Sequence, residues 1–185
     1  MPRRAIAWIC VVMLAGLAQL TCKAADVNGW QSFTWGMTGE QIAAAGGQRV
    51  PRWHPPDKSF YVDFAQQLTL EGKPYVARLV MDVATDKLKA VEIQDTAPVE
   101  SYTRPDRAQF DRLEALLTQR YGPASLRTDL NKPNDLFPSA KWSRTWALPG
   151  TSIELKHDWM DISGKPMGSF MIRYFPTKGS DASKL

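Results

Sequence analysis

Cysteine is almost missing from this 185-residue chain. There are two, Cys10 and Cys22, and both fall in a stretch that reads as a removable leader. The remainder therefore has no disulfide, no thiolate metal ligand and no cysteine nucleophile. Histidine is as scarce, with only His54 and His157. Metal sites need several His, Cys or carboxylate ligands at compatible spacing, and the one local cluster is His157 with Asp158 and Asp161. On a strand, His157 shares a side with Ile153, Leu155 and Trp159 while Asp158 points away, so a histidine at the margin of an apolar face is expected. The chain also lacks a Gly-x-Ser-x-Gly elbow, a Walker loop and a Gly-rich dinucleotide turn. Gly46–Gly47 follows a helix, whereas a phosphate-cradling loop precedes one. No catalytic residue, metal ligand or cofactor is assigned.

A long apolar run occurs only once. Ala5 to Leu20, about 16 residues, follows Arg3 and Arg4 and precedes the small residues Ala24 and Ala25. A spanning helix needs roughly 20 residues. A basic start, a short apolar middle and a small-residue exit describe a secretory signal over residues 1–24, and hence a bacterial periplasmic product. Cys22 as a lipidation site is the rival reading, but Gln19 and Thr21 match a lipoprotein signal poorly. Removing the leader takes Arg3, Arg4 and Lys23 with it, leaving 20 basic against 19 acidic residues where the full chain carries +4. A nucleic-acid footprint, which needs concentrated positive charge, is not expected.

What is present is periodicity. From Thr103 to Pro123, Phe110, Leu113, Leu117 and Tyr121 recur at steps of three and four and share one helix face, widened by Leu116. Thr103 and Asp106 have capping-box spacing, Pro105 suits a first turn, and Gly122–Pro123 ends the helix. Asp111, Arg112, Glu114, Gln119 and Arg120 are expected to stay wet. An earlier capping-box spacing, Thr38 to Gln41, starts a short helix that Gly46 and Gly47 stop, after a short aromatic strand around Trp30 to Trp35. Residues 49–58, with three prolines, form an extended connector.

From Ser59 the period changes to two. Phe60 to Leu70, Tyr75 to Asp82 and Leu88 to Gln94, separated by the turns at 71–74 and 85–87, read as an antiparallel meander. Residues 124–140 read as polar and irregular. Lys141–Leu148, Thr151–Met160 and Gly168–Phe175 supply three further strands. The expected fold is α+β: an antiparallel sheet of about six to seven strands with two helices on one face, in the order (β)αβββαβββ. A single domain over 25–176 and a frayed tail over 177–185 complete the reading.

The phrase WGMTGEQIAAAGG, the RYGP helix exit and the paired α-βββ order resemble small secreted bacterial envelope domains of the beta-lactamase-inhibitor-protein-like and outer-membrane assembly lipoprotein type. The resemblance is one of pattern across most of the chain after the leader. It implies a binding module: an inhibitor, an immunity protein or an assembly scaffold.

Two aromatic–cationic groups are candidate partner-binding residues. Trp142, Arg144 and Trp146 alternate, so they share one side of a strand; they either grip a partner by cation–π stacking or send both indoles into the core with Arg144 lying along them towards water. Arg52, Trp53 and His54 lie in the stiff connector and either anchor a partner or lid the sheet edge. The expected function is an exported non-catalytic binding protein, an inhibitor or immunity-type module for a protein partner. An envelope assembly component and a small periplasmic hydrolase using His157 or a carboxylate pair are the alternatives.

Overall fold

The computed structural model describes residues 28–47, 59–82 and 84–178, and for 59–67 the backbone alone. The expected leader, the Arg52-Trp53-His54 connector and all but the start of the tail lie outside the described residues. In chain order the elements are β1 (Gly29–Trp30), β2 (Phe33–Thr34), α1 (Gly39–Ala44), β3 (Ser59–Leu70), β4 (Lys73–Asp82), β5 (Lys87–Asp95), a 3₁₀ turn at Val99–Ser101, α2 (Arg107–Tyr121), β6 (Leu126–Lys132), β7 (Ser139–Ala147), β8 (Thr151–Ile162) and β9 (Lys165–Pro176).

Strands β3 to β9 form one antiparallel sheet in the order β3-β4-β5-β9-β8-β7-β6. It consists of two meanders joined where β5 pairs β9, with Val91 opposite Tyr174. The turns carry the residues that tight hairpins demand: Glu71 and Gly72, and Ser163 and Gly164, all have positive φ, the requirement of a two-residue hairpin turn. β1 and β2 form a separate hairpin, turned by Gln31 in the left-handed region.

Alternation decides which side of the sheet is covered. Tyr75, Ala77, Leu79 and Met81 of β4, Trp142 and Trp146 of β7, Ile153 and Leu155 of β8, and Phe170 and Ile172 of β9 are buried. They join Phe110, Leu113 and Leu117 of α2 and Ile42 of α1 in one apolar cluster. The stripe read from the sequence is thus the face by which α2 packs on the sheet. Trp30, Phe33 and Trp35 enter the same cluster, held by the Trp35 indole N–H donating to Thr151 Oγ1 at 2.9 Å.

Several strands run a few residues beyond the sequence reading, and two further differences bear on the site. Helix α2 starts at Arg107, with Asp106 as the capping residue, its Oδ1 accepting from Gln109 N–H at 2.9 Å. Thr103 is no cap, because the residue before a proline is steered out of helical geometry and Arg104 precedes Pro105. The Thr38 capping box is present as read, with Gln41 Oε1 accepting from Thr38 N–H at 2.9 Å.

The second difference is β6. Residues 124–140 are not irregular throughout: Leu126 to Lys132 pairs in unbroken register with β7. Its polarity misleads because it is an edge strand whose covered side is held by ion pairs and hydrogen bonds rather than by apolar packing. Arg127 Nη2 meets Glu114 Oε1 at 2.8 Å, and Asn131 Oδ1 accepts from the Trp142 indole N–H at 2.9 Å.

Candidate functional site

Trp142, Arg144 and Trp146 do project from one side of β7, but that side is the one beneath α2. They are 5%, 1% and 1% exposed: of the two readings, the one that sends both indoles into the core is the one seen, and the partner-gripping one is corrected because a helix already covers that side. Arg144 does not run out to water either. Its Nε donates to Glu114 Oε2 at 2.8 Å, and its Nη1 and Nη2 donate to the two carboxylate oxygens of Asp129 at 2.8 and 3.1 Å. The guanidinium lies over Phe110, 4.9 Å from the ring centroid, and the cation over Trp142 is Arg107 from the helix, at 5.1 Å. Glu114, expected to stay wet, is drawn in with a side chain only 12% exposed. Burial pulls the Arg144 ionisation down, but Asp129 and Glu114 outweigh it and hold the group above its ordinary range. The hydrogen bonds from Arg144 hold the Asp129 carboxyl below its usual value against partial burial. With Arg127 on the other oxygen of Glu114 at 2.8 Å, the two carboxylates and two guanidiniums pair among themselves.

His157 is fully buried. It stacks on Phe170 with centroids 4.2 Å apart and lies 4.9 Å from Trp142. Nδ1 sits 2.9 Å from the Ser169 carbonyl oxygen, which requires the proton on Nδ1. Burial depresses its ionisation below the usual imidazole value, with the Ser169 bond opposing. The ring is thus deeper than the sequence reading placed it. Among the described residues no group of three or more His, Cys, Asp or Glu is placed to hold a metal ion.

The opposite side of the same strands has a different character. No described helix lies on it, and the register fixes its membership. Across β6, β7, β8 and β9, Leu130, Lys141, Asp158 and Ser169 lie in one row, and Leu126, Thr145, Glu154 and Arg173 in another. Leu126 and Leu130 are 61% and 52% exposed, and Met160 and Ile162, on the same side of β8, are 36% and 40%. Four large apolar side chains thus face water from one side of one half of the sheet. Charged pairs stand among them: Lys141 with Asp158 at 3.8 Å, Lys156 with Glu154 at 3.1 Å, and Arg173 with Glu92 at 3.4 Å.

Two shallow clefts, of about 340 and 300 Å³, notch this side and share Val99, Asp158 and Ser169. The larger adds Met160 and Met167, the smaller Gln94 and Met171. Val99 belongs to the 3₁₀ turn, which is tied down where Asp95 Oδ2 accepts from the Tyr102 hydroxyl at 2.6 Å and from Phe170 N–H at 2.9 Å. Burial and the Asp95 carboxylate push the Tyr102 phenol well above its ordinary value, so it remains a donor. Gly168 lets the turn approach: a Cβ there would stand 2.9 Å from Tyr102 Cβ.

Sequence reading passes over this surface. Leu126 and Leu130 fall in the stretch read as irregular, Met160 is the last residue of the strand read there, and Ile162 joins its side only because β8 reaches Ile162. The signal that would have found them is the two-residue step itself: Leu126, Thr128, Leu130 and Asp158, Met160, Ile162 each lie on one side of a strand.

Comparison with protein-family models, curated proteins and solved structures finds no match for this chain. Function must be argued from the surface alone.

Proposed function

We propose that this protein is an exported, non-catalytic binding module whose helix-free sheet side docks a protein partner. The observation that carries the reading is the set Leu126, Leu130, Met160 and Ile162, exposed together on one side of β6 and β8. Apolar side chains scattered singly need no explanation, whereas several large ones exposed on one side of one half-sheet, with paired charges among them, have the composition of an interaction surface. Methionines and arginines among them are the residue types that interfaces favour, methionine because it repacks against varied shapes. The paired charges would fix orientation more than affinity. The resemblance to secreted inhibitor and assembly domains and the leader-like residues 1–24 support the same reading, with Arg52, Trp53 and His54 as a second anchor.

Site-specific photocrosslinking in cells of the source organism tests it. A photoreactive residue at position 160 should capture a distinct protein, and one at Gln119 on the outer side of α2 should not. Equal capture from both positions would remove the basis for the proposal. Trp53→Ala should weaken capture at 160 if the connector contributes.

A further inference from the structure

Strand β6 ends the sheet: among the described residues only β7 flanks it. Half of its backbone N–H and C=O groups therefore face outward without a strand partner. Natural edges are usually shortened, bulged or broken by proline to prevent pairing. β6 runs seven residues without proline, glycine or a register shift. Its sequence is also self-complementary when read against itself in reverse. Leu126 and Leu130 flank the segment on the helix-free side, Arg127 and Asp129 lie inside them on the helix side, and Thr128 is at the centre.

We propose that two copies of this chain pair β6 to β6, antiparallel, about a two-fold axis at Thr128. In that register Leu126 stands opposite Leu130 of the second copy, Arg127 opposite Asp129, and Thr128 opposite itself. Direct cross-strand neighbours of this kind, apolar with apolar and opposite charges together, are the units that stabilise a sheet. The neighbouring symmetric registers fail. Centring on Arg127 or on Asp129 sets like charges against each other and places each leucine opposite a polar or small residue. Slipping by a single residue puts the leucines on the wrong side.

The charges are already positioned for the exchange. Arg127 meets Glu114 at 2.8 Å and Asp129 meets Arg144 at 2.8 Å, yet the side chains of Arg127 and Asp129 are still 58% and 40% exposed. Pairing extends each network into the other copy as Glu114–Arg127–Asp129–Arg144. Arithmetic of the register sets Lys132 opposite Ala124, which carries the β6–β7 turn past the second copy's α2–β6 connection. Leu136 and Phe137 on that turn, 87% and 48% exposed, then have a surface to cover. The contact is isologous and closes at two subunits. Because the axis is perpendicular to the sheet, both helix-free sides face the same way and join into one continuous surface.

The test is disulfide trapping and sedimentation of the full chain carrying Cys10→Ser and Cys22→Ser. Only Thr128 faces its own copy, so Thr128→Cys should crosslink at least about ten-fold faster than Leu126→Cys or Leu130→Cys, cross-strand disulfides being intolerant of displaced Cβ atoms. Leu126→Glu and Leu130→Lys should each abolish the dimer, and the double variant should restore it through Glu–Lys pairs. Amide exchange along β6 should slow as protein concentration rises from micromolar to millimolar. A monomer throughout that range, equal trapping at positions 126, 128 and 130, or a double variant that stays monomeric would each overturn the proposal. So would a different protein occupying β6 while the pure chain stays monomeric.

Discussion

On one side of β7, Arg144 is 1% exposed and spans two carboxylates at hydrogen-bond distance. On the other side, three residues away, Lys141 stands 3.8 Å from Asp158 with both side chains more than half exposed. The same kind of pair has different consequences. Away from water each ion has lost its hydration, so the partners must replace it in full. At the surface, water screens the attraction and substitutes for either partner at little cost. The side under α2 therefore holds the fold, and the helix-free side is open to change without unfolding. A surface free to bind is one on which stability does not depend.

The largest effect should come from breaking the buried cluster. Arg144→Met takes from Glu114 its buried partner under α2, leaving it only the half-exposed Arg127, and should destabilise the protein by about 3–5 kcal/mol, towards the lower end because Arg127 remains and water reaches Asp129. Chemical denaturation measures it. Replacing Arg144, Glu114 and Asp129 together with apolar residues should recover most of the loss; if the triple variant is as unstable as the single one, the cost is not an unpaired buried charge.

Trp146→Phe keeps a ring under α2 but removes the indole N–H that donates to the Gly122 carbonyl oxygen at 2.8 Å. A loss of about 1–3 kcal/mol is expected for the unsatisfied acceptor and the vacated volume. Thermal melting with retained near-ultraviolet signal checks it.

His157 is buried and its ionisation is depressed, so the unfolded chain takes up a proton that the folded one refuses. Its contribution is complete above the unfolded value of 6.5 and is lost as pH falls below it. Asp129, held down by Arg144, adds a further loss as pH falls below 3.8. Urea midpoints measured from pH 8 to about pH 3 should fall in that sequence. In His157→Phe the loss between neutrality and pH 5 should vanish; if it persists, another group is responsible.

The smallest effect belongs to the other side. Lys141→Ala should change stability by less than about 1 kcal/mol and shift salt dependence barely at all. A loss comparable to that of Arg144→Met would mean that the helix-free side is structural, and the binding proposal would lose its footing.

Much of this was legible from residue order. The i, i+3, i+4 spacing of Phe110, Leu113, Leu117 and Tyr121 specified a helix and its packing face, because helix geometry alone brings those positions into line. Two-residue alternation specified the strands and put Trp142, Arg144 and Trp146 on one side, and the Thr38 cap was readable because its hydrogen bonds are local. Alternation, with Leu148 continuing the Trp142–Trp146 side, offered the core beneath the helix as one of two places for that side of β7 but did not decide between them. The fate of Arg144 was not readable, since its partners lie 30 and 15 residues away in sequence and come together only by packing. β6 was missed for the same reason: its covered side is satisfied by distant charges, and its alternating leucines fall on the exposed side, where they mark no buried face. Short-range geometry belongs to the sequence, whereas burial belongs to the tertiary structure, because only the folded chain determines which residues lose their water.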